Sequence, residues 1–91
     1  MTITVSVYQK DGLCRGPKIG NAIFYARLGI ILVSLPATGG GPLSGSEHVY
    51  TVAPPAGLSS WDLSVESPIH QALFFFVRDG STHEVWLARR P

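Results

Sequence analysis

The side chains with the widest chemical repertoire in this chain are three histidines, His48, His70 and His83, and a single cysteine, Cys14. Imidazole and thiolate are zinc ligands, and either can serve in nucleophilic catalysis. Paired zinc ligands usually sit a few residues apart, so that one turn presents both. Here the histidines are 22 and 13 residues apart, and no second cysteine joins Cys14. Ser60, Asp62 and His70 supply the residue types of a nucleophile, an orienting acid and a base. Such a set works only if the base lies within hydrogen-bond reach of the nucleophile, and spacing alone does not establish that. The expectation is no catalytic residue, no metal and no cofactor.

The glycine-rich run Gly39-Gly40-Gly41-Pro42-Leu43-Ser44-Gly45-Ser46 has the composition of a phosphate loop. A Walker loop places a lysine after its last glycine and a helix behind it. No lysine follows Gly45, and strand-like sequence comes next. Gly41-Pro42-Leu43-Ser44-Gly45 misses the G-x-S-x-G nucleophile elbow by one position. Leu35-Pro36-Ala37-Thr38-Gly39 resembles the L-P-x-T-G pentapeptide of sortase sorting signals. That resemblance implies a hydrophobic span and a basic tail downstream. The longest apolar run after Gly39 is the short one from Ala72 to Val77. A Gly/Pro loop leaving a strand accounts for these residues.

The elements that would position these groups read as strands. Ile3, Val5 and Val7 alternate with Thr4, Ser6 and Tyr8, the period of a strand with one wet side. Lys10 to Gly20, with three glycines and Pro17, reads as a long loop. Ala22 to Leu28 fits either a two-turn helix or a strand, and Phe24 and Tyr25 favour the strand. Ile30 to Leu35 is rich in β-branched residues and is expected to be a strand buried on both faces. Pro36 to Ser46 is a second long loop. Glu47 to Ala53 and Ser60 to Glu66 resume the alternation, with His48, Tyr50 and Val52, then Trp61, Leu63 and Val65, on the inward sides.

Gln71 to Arg90 reads as a β-hairpin. Asp79-Gly80 is the dipeptide preferred in a two-residue turn with positive φ, and it sets Arg78 opposite Ser81 and Phe74 opposite Val85. The first arm, Ala72-Leu73-Phe74-Phe75-Phe76-Val77, is apolar on both faces. A half-buried strand alternates apolar with polar, so each face of this one needs a cover. The expected architecture is one all-β domain over residues 1–91, a small antiparallel sandwich or barrel of six to seven short strands with two long Gly/Pro-rich loops.

Composition narrows the function classes. The chain has 91 residues, 45% hydrophobic and 14% charged, with net charge +1. Typical globular domains carry about 25% charged residues. Low charge and much apolar surface on a small chain favour association. Residues 1–40 hold four bases against Asp11, and residues 41–91 hold five acids against three arginines. That balance offers no basic patch for nucleic acid, although aromatics near arginines can stack bases. The first residues lack the basic start of a signal peptide. Asn21, Arg27 and Ser34 interrupt the apolar run Ile19–Leu35, so no transmembrane segment is expected.

The expected role is therefore a non-enzymatic structural subunit that docks on copies of itself or on a larger capsid-type protein. A phage or viral capsid accessory, located in the virion, fits this size and composition. The expected contact residues are Phe74, Phe75, Phe76, Trp86, Arg89 and Arg90, with Arg15 and Lys18 on the first loop. A compact inhibitor module binding one host protein is the alternative.

Overall fold

A computed structural model of the chain describes residues 2–39 and 47–91. Nine strands run through them: β1 (Ile3–Asp11), β2 (Cys14–Lys18), β3 (Ile23–Leu28), β4 (Ile31–Ser34), β5 (Ala37–Gly39), β6 (Val49–Val52), β7 (Ser60–Ser67), β8 (His70–Arg78) and β9 (Thr82–Leu87). They form two sheets. Sheet B has the order β4-β3-β7-β8 and is antiparallel throughout. Sheet A is built around β1, which pairs β6 and β2 antiparallel and β9 in parallel. The expected all-β sandwich class holds, with more strands than expected. Among the described residues no helix is long and apolar enough to cross a membrane.

β1 organises sheet A because its alternation is the cleanest in the chain. Ile3, Val5 and Val7 are fully buried, and Ser6 and Tyr8 are partly open. Its first half pairs β6 and its second half pairs β2, along one edge. The two partners meet at Val7, whose N–H donates to His48 O at 3.0 Å and whose carbonyl accepts from Ile19 N–H at 3.0 Å. β9 takes the other edge. The inward side chains of sheet A meet Phe24, Ala26, Trp61, Leu63, Val65 and Val77 of sheet B in one core. The inward positions expected for residues 47–66 are all buried.

The first expected loop is largely a hairpin. Asp11 pairs Cys14, with Gly12 at φ 62° in the turn. Between Tyr8 and Lys10 on β1, opposite Lys18 and Arg15, β2 carries an extra residue. Gly16 and Pro17 form this bulge. Proline is tolerated at bulges and on edge strands, which is why a sequence that reads as loop is paired here. Gly16 approaches the Gln9 carbonyl so closely that a Cβ would lie 2.8 Å from its oxygen.

The ambiguous segment 22–28 is strand β3. Of the second expected loop, Ala37–Gly39 pairs β6, and residues 40–46 lie outside the described residues.

The largest correction concerns residues 71–90. Asp79-Gly80 does turn the chain, with Ser81 N–H donating to Arg78 O and Gly80 at φ 78°. At the far end His70 bridges Arg89 in the same register, with Gln71 N–H on Ala88 O and Arg90 N–H on Ile69 O. Between these points the arms part. β8 pairs β7 in sheet B and β9 pairs β1 in sheet A. Each arm gains a full ladder on its far side, and a lone two-stranded hairpin is only marginally stable. The β7–β8 ladder also shifts, because two steps from Val65 to Ser67 oppose three from Leu73 to His70. The extra residue on β8 puts His70 and Leu73 on the same side of the strand, His70 buried and Leu73 still exposed at the cleft between the arms. Phe74 therefore does not share a face with Val85: Val85 enters the core and Phe74 faces out.

A second correction falls on Ile30–Leu35. This run is not buried on both faces. β4 is the outer strand of sheet B, and all four of its residues are exposed.

Candidate association surface

The outer face of sheet B is laid out in rows by the strand register. One row is Leu32, Arg27, Asp62 and Phe76, and the next is Ser34, Tyr25, Ser64 and Phe74. Phe76 is 58% exposed and Phe74 44%, while Leu32 and Ile23 are also open. The Arg27 guanidinium lies over the Phe74 ring, 5.5 Å from its centre. A shallow depression lined by Arg27, Gly29, Ile30, Leu32 and Phe74 joins the rows to the β3–β4 turn. At that turn Gly29 adopts φ 67° and Ile30 is fully exposed. Aromatics with an arginine, and few acids, are the composition of interface cores.

The residues expected to make contacts do not form one patch. Phe74 and Phe76 share the outer face of sheet B. Phe75 points the other way, half-buried against the core, with its ring 5.2 Å from that of His83. Trp86 and Arg15 belong to sheet A. Trp86 Nε1 donates to Glu84 at 3.0 Å, and Arg15 binds the same carboxylate at 3.1 Å while lying over Tyr8. Lys18 lies opposite Tyr8 on β2. Arg89 and Arg90 sit where the arms close, and Arg90 binds Glu66 at 3.1 Å. Exposed pairs of this kind add little stability. The sequence reading missed Ile30, Ile31, Leu32 and Val33. The signal was present: an uncharged, β-branched run without proline suits an open edge as well as a core.

The parting of β8 and β9 leaves a cleft of about 440 Å³ lined by Leu73, Phe75, His83, Glu84, Val85 and Trp86. Its two polar side chains are engaged locally, His83 with Ser81 at 2.7 Å and Glu84 with Trp86 and Arg15.

The three histidines occupy separate environments. His48 is buried, with Nε2 2.9 Å from Tyr8 Oη. Its pKa is lowered, chiefly by burial and then by Lys18. His70 is buried between the sheets and lies 3.0 Å from Gln9 Oε1 and 2.6 Å from Ser67 Oγ. Its pKa is also lowered, by burial first and Arg89 second. Because the Gln9 oxygen only accepts, His70 Nε2 donates to it. Nδ1 then accepts from Ser67, whose oxygen takes the Ile69 N–H. That set suits a neutral ring bracing β1 against β7 and β8. No group of three or more His, Cys, Asp or Glu side chains gathers to hold a metal among the described residues.

Ser60 lies opposite Arg78 and His70 opposite Ser67. Seven strand residues, roughly 23 Å, therefore separate that serine from its supposed base. The L-P-x-T-G segment is likewise built into the fold. Leu35 is buried, and Gly39 pairs Tyr50 with φ 110°.

The described residues form a β-sandwich of nine strands with an open aromatic face on one sheet. No protein-family model, curated protein or solved structure matches this chain.

Proposed function

We propose that this protein is a non-enzymatic assembly subunit that associates through the outer face of sheet B. One observation carries the reading: Phe74 and Phe76 stand on a single sheet face with much of their surface open. Large aromatic side chains left open together on one face, rimmed by polar residues such as Arg27 and Asp62, are a feature of interaction sites. Burying such a face stabilises a complex by roughly 25 cal/mol per Å² before association costs. Phenylalanine and arginine are both enriched at interfaces relative to the rest of a protein surface.

A phage or viral capsid accessory is one such subunit, with a larger shell as its further partner. Chain size, low charge and the apolar face support that setting as they support other multi-copy assemblies. Sedimentation velocity over a wide concentration range tests the reading. Self-association that grows with concentration supports it. A monomer throughout, forming a 1:1 complex with one host protein, supports the inhibitor alternative instead.

A further inference from the structure

We infer that β4 is a dimerisation edge: it pairs antiparallel with β4 of a second copy and joins two B sheets into one eight-stranded sheet. This rests on the assembly reading above and names the partner and the geometry.

Leu35 N–H donates to Phe24 O at 3.0 Å, and the β3–β4 register sets Val33 opposite Ala26 and Ile31 opposite Leu28. In an antiparallel ladder alternate residues exchange hydrogen bonds with the neighbour. Ile31, Val33 and Leu35 therefore bond to β3. Leu32 and Ser34 turn their N–H and C=O groups to the opposite edge. Among the described residues no strand pairs that edge.

Exposed edges are usually blunted with charge, proline or a bulge. Residues 29–35, Gly-Ile-Ile-Leu-Val-Ser-Leu, carry no charge and no proline, and the β3–β4 register is regular. β2, the edge carrying Arg15, Pro17, Lys18 and a bulge, shows the contrast within one molecule.

The occupant follows from self-complementarity. A two-fold axis through Leu32 sets Leu32 against Leu32 of the second copy and Ile31 against Val33, and brings Ser34 to the Ile30 turn. Leu32 then exchanges hydrogen bonds with its counterpart, and no like charges are opposed. Ile31 is 60% exposed and Val33 39%, and they meet on the inner side of the new ladder. Leu32 meets its counterpart on the outer side. The joined sheet also makes the two Phe74/Phe76 faces continuous, doubling the area offered to any larger partner.

The test uses the full chain with Cys14→Ser to remove the native thiol. Leu32→Cys is added in one protein and Thr82→Cys, on exposed β9, in a control. An opposed pair on the axis has Cα atoms about 5.5 Å apart, within disulfide range. Under mild oxidation Leu32→Cys should become a disulfide-linked dimer while Thr82→Cys stays largely monomeric. In parallel, Leu32→Pro removes an outward N–H and no bond to β3, and should weaken self-association at least about tenfold. The cross-link stands as the test if the proline variant fails to fold. If the wild type self-associates but Leu32→Cys does not cross-link, the edge inference is overturned and the assembly reading survives. If the wild type never self-associates, both fall.

Discussion

The Arg27 guanidinium sits 5.5 Å from the centre of the Phe74 ring, on the outside of the sandwich. The contact reaches between non-adjacent strands, from β3 over β7 to β8. It places one cation on an aromatic face where Phe74 and Phe76 stay exposed. A cation over a ring is worth about 0.5–1 kcal/mol when exposed and more once water is excluded. A partner that covered Phe74 would therefore strengthen this contact as well as bury the ring.

Phe75 and Phe76 are neighbours in sequence with opposite roles. Phe75 packs inward against the core and His83. Phe75→Asp is expected to act on folding, destabilising the domain by roughly 2–3 kcal/mol through lost burial and a poorly solvated carboxylate. Urea unfolding followed by fluorescence checks this. An unchanged midpoint would place Phe75 on the wrong side of the sheet.

Stability should depend on pH through His48 and His70. Both pKa values are lowered in the fold, so the unfolded chain, titrating near 6.5, binds protons first as pH falls. Their contribution is complete above about pH 6.5 and is lost as pH drops from there through the lowered folded values. Denaturation midpoints should be level above neutrality and decline over the interval below about pH 6.5 as the two lowered imidazoles take up protons. Replacing both histidines by glutamine should flatten that interval. A midpoint that rose on acidification would contradict the neutral, bracing His70.

Tyr50 ties the chain entering β3 to the core of sheet A. Its hydroxyl donates to Ile19 O at 2.8 Å and accepts from Ala22 N–H at 3.0 Å. Tyr50→Phe should cost about 1–3 kcal/mol, the penalty for leaving such groups unpaired, with the same oligomeric state. Chemical denaturation and sizing together check both parts.

Gly39 ends the pentapeptide that resembles a sorting signal, and the need for glycine there has a local cause. At φ 110° a side chain is strained, and a Cβ would collide with the Val49 carbonyl oxygen. Gly39→Ala should destabilise by at least about 2 kcal/mol. Gly12→Asn, at φ 62° with open space around it, should cost less than about 1 kcal/mol. Equal effects on thermal unfolding would contradict the β5–β6 pairing.

The readable parts of the sequence were those where side-chain period and burial coincide. Ile3, Val5 and Val7, or Trp61, Leu63 and Val65, announce both strand and core because every second residue is apolar. Two features were hidden. The Asp79-Gly80 turn and the His70–Arg89 bridge keep one hairpin register, yet the arms part because each has a better ladder elsewhere. Nothing local encodes those distant partners. The run Ile30–Leu35 reads as core because hydrophobicity records affinity for burial, whether by this chain or by another. The proposed contact surface was therefore half legible: Phe74 and Phe76 from the two-faced arm, but not β4.

The central claim is that the Phe74/Phe76 face associates. Light scattering on the wild type and on Phe76→Lys tests it most directly, because Phe76 lies opposite Asp62 and a lysine there gains a compatible neighbour instead of disturbing the core. The wild type should show a mass above twice the 9.8 kDa of one chain, and the folded variant should assemble no further than the dimer that the β4 edge alone can hold. A wild type that stays at the single-chain mass up to millimolar concentration, or a variant that assembles as well as it does, would contradict the account.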